Sequence, residues 1–250
     1  MSRKLKIKDI LLLALLTAIY MIIYMICMAI ISPLGAFGHA ISPGICGVFA
    51  GTVIYFMSRK VGKMWQFTIF TLLVMGVFAL MGGGYLPWLI TSVSTAIIAD
   101  FIASREERPS VFKLAIASGL LHMGQAWGAI IPSLFFLESY RSTWIKRGQT
   151  AAQMDDMIKY TAGTWGIVNS LITFVLAAIG IYIGYLVTLL CFNLNELASK
   201  CCWDSFELAP RRANITESVA FFVLFTNEWF NSWSCFTVSL ELPEDLTFNR

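Results

Sequence analysis

The chain has 250 residues, 58% of them hydrophobic and 13% charged, with a formal net charge of +3, and its mean hydropathy is +0.73. A soluble domain carries about 25% charged residues, so the composition excludes a water-soluble fold and identifies an integral membrane protein. The positive charge is spread between apolar blocks, so it bears on orientation in a bilayer and not on nucleic acid.

In chain order, the basic start "MSRKLKIKDI" leads into an apolar run to Ile31 without an A-x-A cleavage site. That predicts a retained span and not a removable signal. Further apolar runs predict spans near 41–57, 64–82, 85–103, 111–137 and 163–190, with the first at 9–31. The fold expected is all-α: a polytopic bundle of about six transmembrane helices over residues 1–190, the second and third marginal in length. Basic connectors "SRKLKIK", "SRKVGK" and "SREERPSVFK" fall on one side, whereas "SPLGAFGHAISPG" and "GGGY" on the other carry no Lys or Arg. Basic segments stay cytoplasmic, which predicts an inside amino terminus.

The connector 138–162 then lies outside, with Arg141, Lys146, Arg147 and Lys159 partly offset by Glu138, Asp155 and Asp156. Its Thr150/Gln153 spacing predicts a capping box and a short surface helix; an ordered lid and a solvated loop both fit. Residues 191–250 form an unassigned C-terminal tail, acidic and aromatic beyond 201, whose run "SVAFFVLFTNEWF" is too short to span.

Polar side chains in lipid tend to face the protein interior or a cavity. The first and third spans are nearly free of them. Trp88, Thr91, Ser92 and Thr95 share a face of the fourth span, and Ser118, His122, Gln125 and Ser133 climb one face of the fifth. Trp165, Asn169, Ser170 and Thr173 continue on the sixth. Together with Trp127 they predict a ligand pocket in the outer half of the membrane, the competing reading being that hydroxyls bond helix to helix or back to their own helix. His122, Gln125 and Asn169 are the strongest candidates because each needs several partners at depth. Asp100 is expected to snorkel or pair with Arg105. The six cysteines show no C-x-x-C pair, so isolated thiols are expected, with no metal site and no cofactor.

No phosphate loop, H-E-x-x-H or G-x-S-x-G occurs. The pair Glu106–Glu107 resembles the E-E-x-x-x-R signature of intramembrane prenyl-protein proteases, but Val111 stands at the Arg position. A binding or transport subunit without its own ATPase motif is therefore expected ahead of an intramembrane enzyme or peptidase-like protein, and ahead of a purely structural membrane partner.

The basic start followed by "KIKDILLLALLTAIY", the short spans, the missing ATPase motif and the polar residues of spans four to six resemble the substrate-binding (S) component of energy-coupling factor (ECF) transporters. More narrowly they resemble the Trep-Strep or MptD-like group, over residues 1–190. The resemblance implies a multi-pass protein of the bacterial plasma membrane that captures a vitamin or similar micronutrient from outside. It would deliver that ligand with a transmembrane coupling subunit and two ATPase subunits. Ala14 and Ala18 match the A-x-x-x-A strip that docks on the coupling subunit, small side chains letting helices approach closely in lipid. Gly47/Gly51, Gly124/Gly128 and Gly180/Gly184 share that spacing and are expected to pack within the chain. The gating loops implied by the resemblance add His39, Gly82 to Tyr85, Tyr140 and Trp144 as candidates. Basic groups in the fifth loop favour an anionic ligand and the aromatics a ring system. The group usually ends soon after its sixth helix, so a frameshift, read-through or altered terminus is expected for 191–250, with a genuine accessory segment as the rival.

Overall fold

The computed structural model describes residues 5–106 and 108–202, with side chains as far as Leu190. It divides into two compact units, Met1–Ala198 and Ser199–Arg250. Of the second unit only 199–202 are described, as the end of a helix. The tail beyond Cys202, including its apolar run, lies outside the described residues.

The described residues form helices and no strand: α1 (Ile7–Ile31), a 3-10 turn (Ser32–Leu34), α2 (Gly35–Lys60), α3 (Gln66–Leu80), α4 (Leu86–Ala103), α5 (Val111–Phe135), α6 (Leu137–Lys146), α7 (Ala151–Thr161) and α8 (Gly163–Cys202). Four stretches among them are long and apolar enough to cross a membrane: Ile7–Lys60, which holds both α1 and α2, then α4, α5 and Gly163–Leu190 of α8. The remaining apolar helix, α3, has 15 residues and is about 22 Å long at 1.5 Å per residue. Leu13, Ile54, Met57, Phe67, Leu114 and Ile181 are fully buried where α1, α2, α3, α5 and α8 meet.

Two local results differ from the sequence reading. The segment 32–44, expected as a loop from its Gly, Ser and Pro content, is helical from Gly35 onward. Pro43 sits inside α2 and cannot donate to the carbonyl of His39 four residues earlier; Ser42 Oγ donates to that carbonyl instead, at 2.8 Å. An apolar environment favours helix once this freed acceptor is satisfied. Second, Asp100 neither snorkels nor pairs with Arg105. It is fully buried and accepts from the backbone N–H of Phe67 and Thr68 at 3.2 and 2.8 Å, from Thr68 Oγ1 at 2.7 Å and from Ser104 Oγ at 2.6 Å. Trp65 precedes α3 with φ 73° and offers no side-chain cap, so the carboxylate from α4 satisfies the orphan donors of the α3 N-terminus. Arg105 lies over the Phe101 ring, 5.2 Å from its centroid.

The glycine pairs bring backbones together inside the chain. A Cβ on Gly47 would meet Ala177 Cβ at 2.7 Å, and one on Gly184 would meet Thr52 Cα at 2.7 Å. At Gly51 and Gly180 the facing backbone carbonyls would themselves be overlapped. The α2–α8 seam is thus backbone on backbone, and Gly124 and Gly128 of α5 similarly admit Thr95 and Trp88 of α4.

Candidate functional site

A cavity of about 230 Å³ opens where α1, α3 and α5 finish and α2, α4 and α8 begin, beneath α6 and α7. The basic connectors stand at the other end of these helices. Six aromatic rings line it, those of Tyr24, Phe78, Tyr85, Trp88, Tyr140 and Trp144. Phe78 packs edge-on against Tyr24 and Trp88, both with centroids 5.0 Å away. Tyr85 lies 5.9 Å from Tyr140 and 5.8 Å from Trp144, and those two are 6.4 Å apart, so one ring from the start of α4 and two from α6 form one cluster.

Charged groups of the roof are engaged with one another and with the backbone. Arg141 of α6 grips Asp155 of α7 through two hydrogen bonds of 3.0 Å. Arg147 donates to the Gly84 carbonyl at 2.6 Å and lies over Trp144, 5.2 Å from its centroid. Thr150 and Gln153 exchange the capping-box bonds at 3.2 and 2.9 Å, so the expected surface helix forms, with α6 as an unforeseen partner. Burial raises the Tyr85 hydroxyl above its ordinary range against a smaller lowering by Arg147. Burial and then the neighbouring Tyr85 raise that of Tyr140 further. Both phenols are neutral at physiological pH.

Of the residues singled out in the sequence, His39, Gly83, Tyr85, Trp88, Gln125, Tyr140, Trp144 and Asn169 line the cavity. Thr91, Thr95, His122, Trp127, Trp165 and Thr173 do not. Thr91 Oγ1 donates to Trp88 O at 3.1 Å, and Thr95 Oγ1 to the carbonyls of Thr91 and Ser92 at 3.0 Å. Trp127 Nε1 donates to Ser170 Oγ at 3.0 Å. Trp165 is half exposed, its ring against Tyr160 at 6.3 Å. Thr173 is buried where α8 meets Gly44. His122 lies behind the wall, fully buried. Its Nδ1 faces the Ser118 carbonyl at 2.9 Å, which only accepts, so Nδ1 carries the proton and Nε2 accepts from Tyr20 OH at 3.4 Å. Gln125 Nε2 in turn donates to that tyrosine oxygen at 3.3 Å. His122 thus orients Gln125 through Tyr20.

Sequence reading missed Tyr24, Ser42, Phe78, Met157 and Thr161, which also line the cavity. Tyr20 and Tyr24, one turn apart in an otherwise aliphatic first span, were the available signal for an inward face.

Two cavity-lining groups are buried without a partner: the indole N–H of Trp144 and the Oδ1 of Asn169. Asn169 Nδ2 donates to the Tyr160 carbonyl, which fixes the amide so that its oxygen is the free end. Both atoms are closed off from the space itself. No Asp, Glu, Lys or Arg is among the described residues that line it, and His39 contributes an imidazole. The arrangement suits reversible capture of a small molecule.

No curated protein and no solved structure matches the chain. A family model does, over residues 7–189, well beyond half of the sequence. The chain belongs to the family described as hypothetical bacterial integral membrane protein, Trep_Strep.

Proposed function

We propose that the protein is the substrate-binding membrane subunit of an ECF-type importer, capturing a vitamin or similar micronutrient from outside the cell and performing no chemistry on it. The observation that carries this reading is the cavity of about 230 Å³, lined by six aromatic rings, at the end of the bundle remote from the basic connectors. Because basic connectors stay cytoplasmic, that end faces outward, with α1 to α5 and α8 as six membrane-crossing helices. The outer face of α1 supports a protein partner: Ala14 is exposed between Leu11 and Leu15, and Ala18 follows one turn on, partly exposed. Close approach of another helix there needs small side chains. The partners on this reading are a coupling membrane subunit and two ATPases, which supply the work.

The test is reconstitution of the chain with a coupling subunit and its ATPases in proteoliposomes. ATP-dependent uptake is expected, and Ala14→Trp or Ala18→Trp abolishes assembly and uptake while the isolated subunit keeps its ligand. Chemical conversion of the ligand by the purified chain, or loss of ligand with assembly intact in the alanine variants, overturns the reading.

A further inference from the structure

Resting on that reading of the cavity, we infer that its guest is held by a hydrogen bond that it donates, from an N–H or O–H, to Gln125 Oε1, with Tyr20 and His122 as the positioning residues that set this polarity. The relay starts from a group whose role is fixed, since the Ser118 carbonyl only accepts. It faces His122 Nδ1 at 2.9 Å, so that nitrogen carries the proton. A second proton would put an unpaired charge on a fully buried ring, so Nε2 is an acceptor. Tyr20 OH, 3.4 Å away, donates to it. A phenol has a single proton to give. Its oxygen therefore accepts from Gln125, and the amide end that meets it at 3.3 Å is the N–H₂. Cys46 also meets this phenol, but a thiol is the weaker partner.

The carbonyl end of Gln125 is left over. Gln125 lines the cavity and is 9% exposed. Its Oε1 takes no donor among the described residues, yet it is not enclosed as Asn169 Oδ1 is, so it opens on the cavity. Turning the amide round would set its oxygen against the Tyr20 oxygen, acceptor against acceptor, unless Tyr20 let go of His122. A guest that covers Oε1 without donating to it leaves a desolvated acceptor, which costs about tenfold in affinity. His39 shares the wall and can donate, accept or carry charge, so the polarity at Gln125 applies to neutral and anionic guests alike. With six aromatic rings around the space, the class that fits is a small ring molecule bearing an N–H or O–H.

The test uses the full chain in detergent micelles, titrated calorimetrically with indole against 1-methylindole and phenol against anisole, with empty micelles as the reference. In each pair the second probe is the more apolar and lacks the donor. Saturable binding of indole and phenol about tenfold tighter than of their methylated partners is expected, against the hydrophobic trend. Gln125→Met, which keeps the length of the side chain and loses the amide, abolishes that preference. Tyr20→Phe keeps the ring that packs edge-on against Phe70 at 5.1 Å and frees the amide to turn, so the preference falls below about threefold. A merely structural role for Tyr20 would weaken both members of a pair equally and leave their ratio unchanged. Equal or tighter binding of the methylated probes, a preference that survives Gln125→Met or Tyr20→Phe, or no binding of any probe overturns the assignment. Native mass spectrometry of the protein purified from membranes judges the parent reading separately. A retained molecule without N–H or O–H sinks this inference and leaves capture intact, whereas an empty protein that also fails in proteoliposome uptake sinks capture itself.

Discussion

Ser42 donates its hydroxyl to the carbonyl of His39 at 2.8 Å, and it does so where Pro43 has removed the N–H that would ordinarily occupy that acceptor. The pair lets α2 begin at Gly35, eight residues before its proline, and carries His39, Ser42 and Pro43 into the cavity wall.

Ser42→Ala leaves the His39 carbonyl without its donor and is expected to cost about 1–3 kcal/mol. Pro43→Ala restores the helical N–H, so the double variant recovers most of that loss. A double-mutant cycle of thermal unfolding in detergent reads the coupling; additive effects would show that the two residues act separately.

Asp100 and Arg105 should behave unequally. Asp100→Asn turns an amide N–H₂ toward donors already aimed at a carboxylate, unsettling the start of α3 by about 1–3 kcal/mol. Arg105→Ala stays within about 0.5 kcal/mol, because Arg105 stacks on Phe101 and does not neutralise Asp100. Equal losses in chemical denaturation would revive the ion pair.

Gly180→Ala drives a methyl into the Gly47 carbonyl across the α2–α8 seam. Overpacking of this kind costs about 1–3 kcal/mol. Gly76→Ala, where nothing lies within 4 Å of the added carbon, is the matched control and should be neutral or slightly stabilising through helix propensity. Thermal stability of the two variants, measured side by side, separates seam from surface.

The roof should be insensitive to pH in the neutral range and open in alkali. Burial raises the Tyr85 and Tyr140 hydroxyls, so the unfolded phenols, near about 10, ionise first. The stabilisation is complete below that value and is lost as pH rises through the folded pKa. Thermal stability and phenolate absorbance followed together should show a joint alkaline transition; ionisation of either phenol near neutrality would contradict it.

The membrane class and the positions of the long apolar helices were legible because lipid imposes a length and a hydropathy on every span. The start of α2 was not, since Gly, Ser and Pro punctuate loops in water but a buried hydroxyl can repair a proline-broken helix in lipid. Some of the proposed pocket residues, Gln125 and Asn169 among them, line the cavity. Helical spacing places Thr91, Thr95 and Thr173 on an inward face, yet it does not say whether that face meets a void or another backbone. Only the neighbouring helix decides, as with Thr95, into which Gly124 fits. Tyr24, by contrast, was hidden by its aliphatic surroundings although it reaches the cavity.

The glycine contacts between α2 and α8 also say which side of the bundle resists motion. Two helices that meet through bare backbone have no side chains to slide over, so that side of the chamber is a fixed jamb. A disulfide placed across that seam should therefore leave both thermal stability and ligand exchange unchanged.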